Sequence, residues 1–286
     1  YFTEAISRAH EENKVEGRPT KIFALVTSAY SAYSSDRQYR EDFADALEAL
    51  DLWDDVQIDT SRHFFDHPGF VNPFIEGTRD AIAELVKENV DLDLNKDVEV
   101  LFSAHSIPIK DNALSGDPDE HDYGEVGAYK AQHLALGGLV MDAVKEQFGT
   151  DVPWKLVYQS ESGPAHIPWL EPDINDYLGD ISSTRKAVVV VPATFLSDHM
   201  EVWWDLDIEA KETAAEQGLG YKRVSTPGVH PDFVAAMVDL VEERLNGTPA
   251  SQRKALTKYG PGYDVRRAGS SQGSGPLRAA TGGLLP

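Results

Sequence analysis

Short β-rich apolar runs alternate with longer amphipathic stretches along this chain, and that alternation restricts its fold more than any other feature. Strands are expected at 21–28, 55–60, 98–105, 155–160 and 187–192. Helices are expected at 36–50, 72–87, 128–147, 198–217 and 231–245, with a further helical pattern at 1–10. Strands separated by helices of this length read as βαβ units around a parallel sheet. The run Ala187-Val188-Val189-Val190-Val191 shows no polar alternation, as a strand covered on both faces requires.

Charge narrows the functional classes. Of 286 residues, 26 are Lys or Arg and 48 are Asp or Glu, a formal charge of −22. A phosphate backbone needs a basic footprint, so nucleic acid is not an expected partner. The same balance disfavours a polybasic anchor on an anionic membrane and favours the approach of cations. The chain has no cysteine, which excludes disulfides, thiolate zinc sites, iron–sulfur clusters and cysteine nucleophiles. It shows no apolar run near the roughly 20 residues of a spanning helix, and no signal peptide opens it, so the cytoplasm is expected.

Composition also divides the chain. A charge-dense junction at 88–97 separates two groups of βα units, giving expected domains at 1–92 and 93–226, with a C-terminal helix in 227–247. Residues 248–286 hold seven Gly, four Pro and six basic residues against one acid, the composition of a disordered basic tail. Without it the body carries 20 basic and 47 acidic side chains, a net of −27.

In open parallel sheets, ligands bind beyond the carboxyl ends of the strands. Here those ends are polar: Thr27-Ser28, Ser103-Ala104-His105-Ser106, Gln159-Ser160 and Ser197-Asp198-His199. The glycine fingerprints of nucleotide binding, H-E-x-x-H and G-x-S-x-G are all missing. His105, at the end of an apolar run and before Ser106-Ile107-Pro108, could be a base or metal ligand, or a histidine satisfied by backbone. Glu201, Asp205 and Glu209 recur every four residues, so on an α-helix they line one face, where like charges repel. A hard cation would relieve that repulsion. The other reading is a solvated acidic face, with Asp198 as N-cap and Glu201 closing a capping box. Val202, Trp203, Trp204 and Leu206 favour the first reading by making the stretch partly buried. His63, His67, His133 and His166 have no partner by spacing and read as structural, and the acidic loop at 115–122 reads as solvated.

Three of these segments, in order, resemble the signatures of ferrochelatases. They are Ser103-Ala104-His105-Ser106-Ile107-Pro108, then Tyr158-Gln159-Ser160 through Pro168-Trp169-Leu170-Glu171-Pro172-Asp173, then Ser197-Asp198-His199-Met200-Glu201 through Asp207-Ile208-Glu209. The resemblance covers residues 1–247 and implies two similar doubly wound, Rossmann-like α/β domains of chelatase type around a cleft. It further implies insertion of ferrous iron, as substrate metal, into a porphyrin in heme biosynthesis. His105 would accept pyrrole protons on the metal side, Glu201 would face it across the pocket, and Asp205 and Glu209 would lead metal inward. Tyr39, in the segment Tyr30 to Arg40, matches a tyrosine that contacts the porphyrin. Val26 to Ser31 and Arg37 to Glu41 resemble the actinobacterial branch, which points to coproporphyrin III, although protoporphyrin is not separated from it by sequence. Many relatives place a cluster-binding cysteine where this chain has Asp36. The family's opening βα units, with basic porphyrin contacts, are expected before Tyr1, so the first domain is expected to be incomplete at its N-terminus. Transient contact with neighbouring heme-pathway enzymes is the partner expectation. The rival readings are cobalt insertion into an early tetrapyrrole on the same fold, a non-catalytic tetrapyrrole or metal-binding module, and a nucleotide-binding Rossmann protein.

Overall fold

A computed structural model describes residues 1–117, 121–164, 166–262, 269–275 and 278–281 of the chain. The first part contains α1 (Phe2–Asn13), β1 (Thr20–Ala24), α2 (Gln38–Leu50), β2 (Val56–Thr60) and α3 (Pro68–Glu88). The second contains β3 (Val98–His105), the short α4 (Ile109–Ala113), α5 (Ala128–Phe148), β4 (Trp154–Gln159), α6 (Ile174–Ile181) and β5 (Ala187–Pro192). The one-turn α7 (Met200–Val202) runs into a π-helix at Trp203–Glu209 and then α8 (Ala210–Glu216), followed by β6 (Gly220–Arg223) and α9 (Pro231–Leu245). β1 and β2 pair in parallel, and a second parallel sheet has the order β4-β3-β5-β6. This is the α/β architecture that the alternation implies.

Local chemistry sets several boundaries. β5 is buried along its whole length, which matches its unbroken apolar sequence, and β3 is buried up to His105 with Glu99 paired to Arg185. β1 stops at Ala24, four residues before the expected end, because its last partner is Thr60. Beyond that pair the Val26 amide donates to the Ser61 hydroxyl instead of to a strand (3.0 Å). α3 and α9 each begin with proline after a histidine whose ring accepts the amide two residues on, His67 from Gly69 and His230 from Asp232. An imidazole acceptor there does the work of an N-cap, and proline has no amide to leave unpaired. α6 is capped by Asp173, which accepts from Asn175 N–H at 2.7 Å.

The largest apolar cluster runs from Phe70 and Phe74 of α3 through Val100 and Phe102 of β3 and Val189 of β5 to Phe233 and Leu240 of α9. The expected boundary at residue 92 therefore falls between α3 and β3, and the core crosses it. α9 lies on α3, where Phe70 meets Phe233 with ring centroids 6.1 Å apart and Asn72 donates to Asp232 at 2.8 Å.

The described tail residues bond to the body of the chain. Leu256 N–H donates to Asp66 O (3.0 Å), Ser271 N–H to Gly116 O (2.8 Å) and Thr281 N–H to Arg40 O (2.9 Å). Thr257 Oγ1 donates to the Asp66 carboxylate at 2.7 Å, and Arg37 Nη2 to Arg278 O at 2.6 Å. Asp66, Arg37 and Arg40 are buried, and buried charges need partners. Polar contacts, not apolar burial, join these described residues to the body. Residues 263–268, 276–277 and 282–286 of that tail lie outside the described residues, as do 118–120 of the acidic loop.

Candidate active site

The carboxyl ends of β3 and β5 open on a cavity of about 650 Å³, within the usual range for a small-molecule pocket. His105, Tyr129, Trp169, Thr194, Tyr33 and Tyr39 are among the residues of its wall, and no lysine or arginine is among the described lining residues. No described helix is long and apolar enough to cross a membrane.

His105 is the last residue of β3. Its Nδ1 lies 2.6 Å from the Ser106 carbonyl oxygen, which can only accept, so Nδ1 carries the proton in the neutral ring. That leaves the Nε2 lone pair facing Glu201 Oε1 at 3.3 Å. Glu201 Oε1 is itself shielded from solvent and has no aligned hydrogen-bond donor. Two electron-rich atoms at that distance are reconciled by a proton or a cation between them. The side chains are 34% and 40% exposed, and His105 lines the cavity.

The other carboxylates of this segment are engaged separately. Asp205 accepts from Gln159 Nε2 (3.1 Å) and from Ser160 Oγ, whose residue sits at φ 61°, a left-handed conformation uncommon for serine. Gln159 in turn accepts from Ser103 Oγ at 2.7 Å. Glu209 accepts from Trp204 Nε1 at 2.9 Å. Asp207 and Asp198 both receive the Arg223 guanidinium, Asp207 at 2.7 and 2.8 Å. Burial alone would raise the Asp198 carboxyl, but the Arg223 bond and charge outweigh it and hold it low.

Glu201, Asp205 and Glu209 thus have separate partners and do not share one centre. Residues 203–209 form a π-helix and not the regular α-helix expected, with Glu201 in the one-turn helix before it. Nor is there a capping box, since Asp198 binds Arg223 and Thr226, while His199 occupies the N-cap position without a side-chain bond. Among the described residues no three His, Cys, Asp or Glu side chains gather as a preformed metal site.

Tyr39 lines this cavity and also a second, apolar one of about 450 Å³ beneath α1, where it meets Phe2 edge-on with centroids 6.4 Å apart. The histidines without sequence partners hold structure: His63 Nδ1 lies 2.7 Å from Ser31 Oγ, His67 caps α3, and His133 lies 2.8 Å from Thr194 Oγ1. Sequence reasoning missed Thr194 and Tyr129 as wall residues. Thr194 follows β5 by two residues, and its position beyond a strand end was the one available signal.

A family model for ferrochelatase matches residues 2–245. Coproporphyrin III ferrochelatase of Leifsonia xyli subsp. xyli is 48% identical over 292 residues, covering 100% of this chain and 73% of the relative. The Tropheryma whipplei (strain Twist) protein of the same name is 46% identical, covering 93% and 67%, and that of Streptomyces griseus subsp. griseus is 43% identical, covering 93% and 70%. With strand-end histidine, paired glutamate and the family match all on one sequence, the chain belongs to the ferrochelatase family.

Proposed function

We propose that this protein inserts ferrous iron into coproporphyrin III as a step of heme biosynthesis, in the cytoplasm. The observation that carries this reading is the Nε2 lone pair of His105, a wall residue of the 650 Å³ cavity, set against the Glu201 carboxylate at 3.3 Å. Metallation breaks two pyrrole N–H bonds and forms metal–nitrogen bonds, releasing two protons with no change in the oxidation state of iron. An imidazole with its second nitrogen fixed on a carbonyl is a base with one open site. The adjacent carboxylate stabilises the imidazolium that results and attracts the incoming cation. Iron is thus substrate, handled by His105 and Glu201, with Asp205 and Glu209 on the approach and Tyr39 on the porphyrin side of the wall. The choice of coproporphyrin III rests on the names of the relatives, and handover of product by transient contact with neighbouring pathway enzymes belongs to the same reading.

The test is anaerobic incubation of the full-length protein with ferrous iron and either coproporphyrin III or protoporphyrin IX. Free-porphyrin fluorescence should fall with turnover on coproporphyrin III and much more slowly on protoporphyrin IX. No turnover on either would overturn the proposal, and preference for protoporphyrin IX would overturn its substrate.

A further inference from the structure

The end of β3 is held by a set of side chains that the chemistry above does not use. β3 pairs with β5 only as far as Ser103 opposite Pro192, after which β5 turns away at Ala193. On the other edge β4 continues to Gln159, opposite His105. The N–H and C=O of a strand residue point to the same edge, so those of His105 face the side where the ladder has ended. Both are nevertheless satisfied. His105 N–H donates to Thr194 Oγ1 at 3.3 Å, and His105 O accepts from Tyr129 OH at 2.8 Å. Burial pushes the Tyr129 phenol up, so it stays a donor.

Behind these two groups stands His133, completely buried on α5 one turn after Tyr129. Its Nδ1 is 2.8 Å from Tyr129 O, a pure acceptor, so Nδ1 carries the proton. Its Nε2 must then accept, and the Thr194 hydroxyl 2.8 Å away is the donor. With that hydroxyl proton committed, Thr194 offers only lone pairs to His105 N–H. Tyr30 fixes the ring plane from the other side, stacked at 3.6 Å and 10° while its hydroxyl donates to Ala193 O at 2.8 Å. Each bond in this series has one allowed direction.

Resting on the proposed function, we infer that Thr194 is a positioning residue: with its hydroxyl proton committed to His133, it fixes with Tyr129 the backbone of His105, and so the aim of the His105 imidazole at the porphyrin. A ring at a strand end turns with its backbone, and a displacement near 1 Å at a reacting group can cost about a hundredfold in rate.

The experiment uses Thr194→Val, which keeps shape and removes the hydroxyl, with Thr194→Ser as the rescue. The readouts are iron-insertion kinetics and the ring Cε1–H signal of His105 in histidine-labelled protein, assigned by its loss in His105→Gln. Thr194→Val should lower kcat about tenfold or more with porphyrin KM within about twofold, and should move the His105 signal. Thr194→Ser should recover most of both. An unmoved His105 signal overturns the inference, whether or not kcat falls, because Thr194 would then act elsewhere. Should the valine variant not fold, Thr194→Ala gives the same two readouts. Absence of turnover in the unaltered protein would defeat the proposed function alone, since the ring signal needs no turnover.

Discussion

Replacing Arg40 with methionine tests whether the C-terminal segment is bound to the body by buried charge. Arg40 is fully buried in α2, its Nε donating to Asp36 at 3.0 Å and its Nη2 to Ser270 O at 3.0 Å. Asp36 is 4% exposed, and its second oxygen makes no hydrogen bond, so Arg40 is a principal compensation for that charge. Removing one partner of a buried pair leaves an uncompensated ion, which costs about 3–5 kcal/mol. That is a large part of the roughly 5–15 kcal/mol that holds a typical domain folded. The double change Arg40→Met with Asp36→Asn removes the stranded charge and should recover about half of the loss. Chemical denaturation gives these energies, and hydrogen exchange at 269–275 should accelerate in Arg40→Met. A single variant within about 1 kcal/mol of the parent, or amides at 269–275 unprotected in the parent itself, would refute the reasoning.

Acid should weaken the fold through two histidines. Burial holds His133 down to about 3 and His67 to about 4, against an ordinary value of 6.5. The unfolded chain therefore binds protons that the folded one refuses: their contribution is complete above pH 6.5 and is lost as pH falls toward 4. Between pH 6.5 and 5.5 the loss is about 1 kcal/mol for each, so Tm should drop by several degrees, and a flat Tm across that window would contradict the assignment. Asp66, raised by burial, acts oppositely but only near the carboxylate range. Gly163→Ala places a methyl group against the Trp169 indole on the cavity wall. Overpacking there should weaken porphyrin binding about tenfold in a fluorescence titration, and an unchanged Kd would show that the indole does not shape the site.

What could be read from sequence depended on how strongly one signal dominated each segment. β3, β5 and α9 have the limits expected from their residues, because apolar β-rich runs and a His-Pro start leave little choice. β6 went unseen because Gly220-Tyr221-Lys222-Arg223 is four residues long and half exposed at a sheet edge. α6 was hidden by its length of eight residues next to a proline-rich loop. The π-helix could not be found by a search that assumes 3.6 residues per turn. The tail's contacts were not legible for a different reason: composition measures apolar content, whereas its described residues meet the body through single bonds to Asp66, Gly116 and Arg40. His105 and Glu201 are 96 positions apart in the sequence, and motif alone suggested their meeting, which the fold brings to 3.3 Å. His133 carried no mark, since a histidine on an apolar helix face looks the same whether or not it holds a neighbour.

The central claim is that His105 and Glu201 act together on the pyrrole protons and the metal. It is tested most directly by single-turnover iron insertion with His105→Ala and Glu201→Gln in the full-length protein, alongside porphyrin binding by fluorescence. Each variant should bind coproporphyrin III nearly as tightly as the parent while the insertion rate falls by about 10²–10⁴. Insertion at the parent's rate in either variant would contradict the account.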